Sequence, residues 1–191
     1  MSRTKEFDES VVLDAAMRVF WAKGYASTSI QDLVDQMGIH RRSIYDTFGD
    51  KHQLFLRALD HYAAFFQKKL TTSIRPEMTA KEKIREIFLV AIMPKKDMPR
   101  GCLIVNTASE LSLLDQEVEH KIQKLFAQGE DFLYGLLTEG KENGEVTTST
   151  ELHELAAYLH NALVGIRVTA KNTDDQQKLS RIIELSLAAI E

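Results

Sequence analysis

The chain has 191 residues, 44% of them hydrophobic, with 24 Lys and Arg against 28 Asp and Glu, a net charge of −4. That size and apolar content can bury one ordinary core or two small ones, and they exclude a disordered chain. The acidic balance excludes a uniformly basic polyanion binder, so any contact with nucleic acid has to come from a local concentration of cations.

Residues 1–51 hold 7 Lys and Arg against 8 Asp and Glu, so the N-terminal part is not basic overall either. A single cysteine excludes an internal disulfide and fits a reducing compartment. No run approaches about 18 uninterrupted apolar residues, and Met1 to Asp8 is too polar for a secretory signal. The expectation is a cytoplasmic protein without membrane contact.

Asp8 is placed to cap a first helix whose inward stripe is Val12, Ala15, Ala16, Val19 and Phe20, and Gly24 stops it. In Ala26-Ser27-Thr28-Ser29 a hydroxyl caps the second helix, and Gln31 stands three residues after Thr28, as a capping box requires. Ile30, Leu33, Val34 and Met37 line one face of that helix. Gly38 ends it, because the residue just past a helix C-terminus commonly takes the left-handed conformation that glycine tolerates. Ile44 and Phe48 give a third short helix its inner face, while His40, Arg41 and Arg42 crowd its start. This is a helix-turn-helix pattern, in which the N-terminal residues of the second member reach base edges in the major groove.

The order Thr28, Ile30, Leu33, Gly38-Ile39, Ser43-Ile44-Tyr45, Phe48, Lys51, Leu54-Phe55 resembles the N-terminal DNA-binding domain of the tetracycline-repressor (TetR) family. The tail Tyr-x-x-Phe-x-x-Lys-x-x-Leu adds fixed positions that a generic helix-turn-helix lacks. The chain departs from the family pattern at Met37, where alanine is usual, and at Arg42, where a small residue is common. The resemblance implies phosphate contacts from Thr28, Tyr45 and Lys51. Arg41 and Arg42 become candidate base readers, His40 a weaker one, and Ser43 joins the DNA-facing set. Arg3 and Lys5 would add cations from an N-terminal arm. The DNA-binding domain then spans 1–50 and an effector-binding and dimerisation domain spans 51–191.

Asp50 is a good N-cap for a long helix over 51–73, ended by Pro76, which would join the two domains. Further helices are expected over 79–93, within 102–114, over 115–142 with Gly144 closing it, from Ser149 or Thr150, and from Asp174 or Asp175 almost to the end. Two prolines and a glycine make 94–101 a loop. No strand pattern interrupts, so the fold class is all-α with about nine helices. The final two stripes, including Leu163 and Ile183, are assigned by the resemblance to a four-helix homodimer interface.

Cys102 follows a basic loop in Arg100-Gly101-Cys102-Leu103, where a neighbouring arginine would favour the thiolate of a reactive-compound sensor; the bland alternative is a packing residue. Asn106, Glu110, Gln128, Tyr134, His160 and Asn161 fall near the apolar stripes of separate helices and are the candidate lining of an effector cavity. The release mechanism expected is binding near Asn106, Glu110 and Gln128, which tilts the 51–73 helix. His153 and His160 lie two turns apart, but a metal needs three or four converging ligands. Glu117-x-x-His120 is one half of a di-iron motif and its second half is missing. The reading is therefore a non-enzymatic DNA-binding regulator, with no cofactor, whose partners are a double-stranded operator, a small-molecule effector and a second copy of the chain. The alternative is a metal-binding or oxidase-like helical bundle.

Overall fold

Side chains recurring every three or four residues fold the chain into helices, seen in a computed structural model that describes residues 7–93 and 98–190. In order these are α1 (Glu9–Lys23), α2 (Ile30–Met37), α3 (Arg41–Phe48), α4 (Lys51–Ser73), α5 (Ala80–Ile92), α6 (Leu103–Leu111), α7 (Gln116–Glu142), α8 (Leu152–Asn172) and α9 (Gln176–Leu187), with a 3₁₀ turn at Ala188–Ile190. The all-α architecture read from the sequence is the one found, with no strand among the described residues. Arg3 and Lys5 lie outside those residues.

Local chemistry sets the boundaries. Asp8 accepts the Ser10 amide at 2.8 Å, Asp50 that of Gln53 at 2.8 Å, and Asp115 that of Val118 at 3.0 Å. Two capping sites differ from expectation. Ser29, not Thr28, caps α2, and its box partner is Asp32 rather than Gln31. Thr28 faces inward instead, 2% exposed, with its hydroxyl donating to the Gly24 carbonyl at 2.6 Å. At α8 the cap position is Glu151 rather than Ser149 or Thr150, without a side-chain hydrogen bond.

Two hydrophobic cores result. The first joins α1, α2, α3 and the first half of α4 to α6 and the start of α7, through Phe20, Leu33, Ile44, Phe55, Leu103, Val118 and Ile122. Phe20 and Phe55 meet edge to face at 4.9 Å, as do Trp21 and Tyr62. The second joins the end of α4 to α5, α7, α8 and α9 through Ile84, Phe88, Leu137, Leu159 and Leu187. Hydrophobic packing does not divide at 50–51. At 1.5 Å per residue, α4 runs roughly 34 Å from one core to the other.

Leu163 and Ile183 are 4% and 1% exposed within a single chain, so they serve the second core and not an intersubunit surface. Periodicity identified a buried stripe correctly but not what buries it. The opposite sides of the same helices leave large apolar groups bare: Tyr158 and Val168 on α8, and Leu185 on α9.

Candidate nucleic-acid interface and effector cavity

Gly38 takes φ 65° and returns its N–H to the Val34 carbonyl at 3.0 Å, which turns the chain sharply from α2 into α3. Ile44 and Phe48 anchor α3 from below, 0% and 4% exposed. With that face fixed, helical spacing drives Arg41, Arg42 and Tyr45 outward, and all three are exposed. Ser43 is half-buried beside them. His40 occupies the N-cap position without a side-chain cap, so nothing from its side chain satisfies the first-turn amides of α3. Arg42 pairs with Asp46 at 3.5 Å, but both are so exposed that the pair is worth little and yields to a stronger anion.

The first turn of α4 adds Lys51, whose ammonium lies 4.3 Å from the centre of the Tyr25 ring. Partial burial there lowers its pKa, opposed by the nearby Glu110 carboxylate. Arg57 braces α3 against α4 and α1. It pairs with Glu9, stacks on the Phe48 ring at 4.9 Å and donates to the Thr47 carbonyl at 3.4 Å. Thr28 is corrected here: its hydroxyl is committed to Gly24, so it has no free donor for a phosphate.

Glu110 is the feature that sequence reasoning placed wrongly. From α6 its carboxylate accepts the backbone amides of Tyr25 at 3.1 Å and Ala26 at 2.8 Å, in the turn between α1 and α2. Gly24 makes this approach possible, because a β-carbon there would lie 2.8 Å from the carboxylate oxygen. Glu110 is thus a strut between the body and the head, not a cavity residue.

The remaining candidates also fail to converge. Asn106 accepts from the Lys171 ammonium at 3.2 Å, while Gln128 and Asn161 are exposed. Tyr134 stacks flat on His153 at 3.8 Å. His160 is 6% exposed, edge-on to Phe126 at 5.1 Å and 3.5 Å from Glu130, and burial lowers its pKa. Cys102 is buried against the Tyr62 hydroxyl. Asn106, Tyr134, His160 and Cys102 meet separate local partners, and Gln128 and Asn161 face solvent.

A cavity of about 290 Å³ does exist, between α1, α4, α5 and the α8–α9 connection. Trp21, Tyr62, Phe66, Met93 and Met98 supply its aromatic and thioether walls. Arg100 and Asp174, paired at 2.8 Å, stand among its polar lining. In the sequence, Arg100 stands out only as a neighbour of Cys102 and Asp174 only as a candidate helix start. The usable signal was the adjacent pair Phe20-Trp21, since two neighbouring aromatics on one helix imply burial on two faces. Among the described residues no group of three metal-ligating side chains forms.

Residues 12–58 match the family model described as bacterial regulatory proteins, tetR family, and residues 80–185 match the tetracyclin repressor-like C-terminal domain. The chain belongs to the TetR family. An uncharacterized HTH-type transcriptional regulator of Bacillus subtilis, YezE, is 34% identical to this TetR-family chain, with 100% of each covered. The HTH-type transcriptional repressor ComR of Escherichia coli is 29% identical over 97% of this chain and 90% of its own. Among solved structures, a cysteine mutant of the TetR-family regulator CifR, complexed with 26-bp double-strand operator DNA, superposes with a TM-score of 0.82. It is 27% identical and covers 99% of this chain and 100% of its own. As a TetR-family member the protein is a DNA-binding transcriptional regulator, and no described helix is long and apolar enough to cross a membrane.

Proposed function

We propose that the protein is a homodimeric repressor that docks α3 of each subunit into successive major grooves of a palindromic operator and is released by a small molecule. The observation that carries this is α3 itself, whose buried Ile44 and Phe48 hold Arg41, Arg42 and Tyr45 on open surface. In this arrangement Arg41 or Arg42 reads a guanine through a two-pronged contact. Tyr45, Ser43 and Lys51 hold phosphates and set the docking register. Relatives named as repressors and the operator complex of CifR support the same reading. The test is selection of bound DNA from a random pool, followed by mapping of the selected site beside the protein's own gene. A selected palindrome with half-sites about one helical turn apart is expected. Enrichment of no sequence would sink the proposal.

The effector site is the cavity walled by Trp21, Tyr62 and Phe66. Trp21 belongs to the head and Tyr62 to the connecting helix, so occupancy bears directly on the angle between them. Half-sites on successive turns lie about 34 Å apart, and a change of a few ångströms in head separation prevents both from docking. A ligand achieves this only by binding one arrangement more tightly than the other. The subunits pair through the outer sides of α8 and α9, where Tyr158, Val168 and Leu185 form the centre of a twofold interface of at least about 1,000 Å². Combined operator binding and sedimentation distinguish this from release by dissociation: the ligand lowers DNA affinity while the dimer persists. No observation favours the metal-enzyme alternative, and the His120 ring nitrogen Nδ1 lies 2.8 Å from the Gln116 carbonyl, on the exposed side of α7.

A further inference from the structure

Arg167 is 8% exposed, and its guanidinium lies over the Phe66 ring at 4.5 Å. Stacking uses only the face of the guanidinium. Its edge carries five N–H donors, and among the described residues neither a carboxylate nor a hydrogen-bond acceptor meets them. The nitrogens of that edge are not fully sealed from solvent, so an incoming acceptor can reach them. Asp174, in the cavity lining, is held by Arg100, and Glu130 lies beside His160. Lys171, one turn along α8, donates to the neutral amide oxygen of Asn106.

Three further features face the same place. Tyr62 is 4% exposed and close enough to feel the Arg167 charge, and burial raises its pKa well above the usual phenol value, so it is a hydrogen-bond donor at neutral pH. The Leu103 amide, in the first turn of α6, and the Cys102 thiol, a weak acceptor, lie beside the Tyr62 oxygen. Cys102 itself, at the N-cap of α6, makes no side-chain capping bond. Phe66 and Tyr62, the two rings next to Arg167, are walls of the cavity.

We propose that the effector is a small organic carboxylate, its acid group lodged between Arg167 and the Tyr62 hydroxyl at the start of α6 and its apolar part against Trp21 and Phe66. This rests on the assignment of the effector site to that cavity. A planar carboxylate can take two parallel N–H bonds from the guanidinium edge, which neither an amide nor an amine reproduces. The phenol exchanges a weak sulfur partner for a charged oxygen. Capture of the anion at this point ties α4, through Tyr62, to α6 and α8.

Trp21 is the only tryptophan of the chain and lines the cavity, so its fluorescence reports occupancy. The full-length protein is titrated with phenylbutyrate, the neutral phenylbutyramide and the cationic phenylbutylamine, with calorimetry as a second readout. The acid is expected to bind at least about tenfold more tightly than the amide, as a charge-assisted hydrogen bond permits, with the amine weakest. Arg167→Met should bring the acid-to-amide ratio to about one without weakening the amide, and Arg167→Lys should keep part of the preference. Tyr62→Phe, which preserves the ring, should weaken the acid severalfold and leave the amide unchanged. These last two variants and the wild-type ratio decide the matter even if Arg167→Met does not fold. An amide or amine that binds as tightly as the acid overturns the carboxylate proposal and leaves the cavity assignment standing. Absence of binding by all three overturns both.

Discussion

The Glu110 carboxylate accepts the backbone N–H of Ala26 at 2.8 Å, from 84 residues away along the chain. The same carboxylate takes the neighbouring Tyr25 amide, and the Tyr25 ring in turn carries the Lys51 ammonium. One acidic side chain of the body therefore fixes the turn that positions both the helix-turn-helix and a cation of the DNA-facing surface.

Glu110→Ala should leave the two amides without their acceptor. The Ala26 amide can recover water, so the expected loss of stability is about 1 kcal/mol, toward the lower end for an unmade hydrogen bond. Glu110→Gln, with one carbonyl oxygen, should cost less. Denaturant unfolding measures the totals, and faster hydrogen exchange confined to Tyr25 and Ala26 would locate the effect. Unchanged exchange at both amides would remove the strut.

Lys51→Ala should weaken binding to all DNA sequences alike and reduce the log-log salt slope by about one unit, because one phosphate contact is lost. Tyr25→Leu should do part of the same by removing the ring that holds the ammonium in place. Titrations against specific and random duplexes at several salt concentrations test this. A change in base preference would mean that Lys51 reads sequence.

Substituting Arg41 and Arg42 singly with Ala should relax one symmetric pair of operator positions for whichever residue contacts a guanine, at about 1–3 kcal/mol of discrimination. His40→Ala should have the smaller effect. Unaltered preferences in all three variants would exclude α3 as the reading element.

Leu185→Glu should give a folded monomer, since Leu185 is 69% exposed and unneeded by the chain's own core. Ile183→Asp, at 1% exposure, should instead unfold the chain by placing an unpaired charge in the second core. Sedimentation and circular dichroism separate the two outcomes. A Leu185→Glu dimer as tight as wild type would place the interface elsewhere.

Burial holds the His160 pKa below its ordinary value of 6.5, with Arg167 acting in the same direction and Glu130 against it. The unfolded chain thus binds a proton at a pH where the folded chain does not. Stability from this residue is complete above about pH 6.5 and is lost as pH falls from there through the folded-state pKa. His160→Gln should flatten that part of the curve. Asp32, Glu82 and Asp115 have lowered pKa values and lose their contribution only in the more acidic carboxylate range, so the two windows are separable.

The head was legible because its signals are local. Gly38 needs the left-handed conformation, and Ile44 and Phe48 sit at helical spacing, which together set the outward direction of Arg41, Arg42 and Tyr45. The α2 cap was misread by one residue because Thr28-x-x-Gln31 and Ser29-x-x-Asp32 both satisfy the pattern, and only the inward turn of Thr28 decides between them. Leu163 and Ile183 were recognisable as buried, but periodicity is the same whether the covering surface is the chain's own or a second copy's. Glu110 and Arg167 were beyond local reading altogether. The first acts on residues 84 and 85 positions away, and the second stands out because no acceptor among the described residues meets its guanidinium edge.

Because Phe20 and Phe55 share one apolar cluster with Leu103, Val118 and Ile122, the head of this chain cannot be traded as a block by cutting at position 50. A chimaera made there would set one chain's Trp21 and Tyr25 against another's α6 and leave the Glu110 contacts to chance. The exchangeable unit is discontinuous: the first third of the sequence, up to Tyr62, travels with residues 102–122. A hybrid that respects this boundary keeps both its fold and its route from ligand to DNA, whereas one that follows the linear order of the sequence inherits a broken hinge.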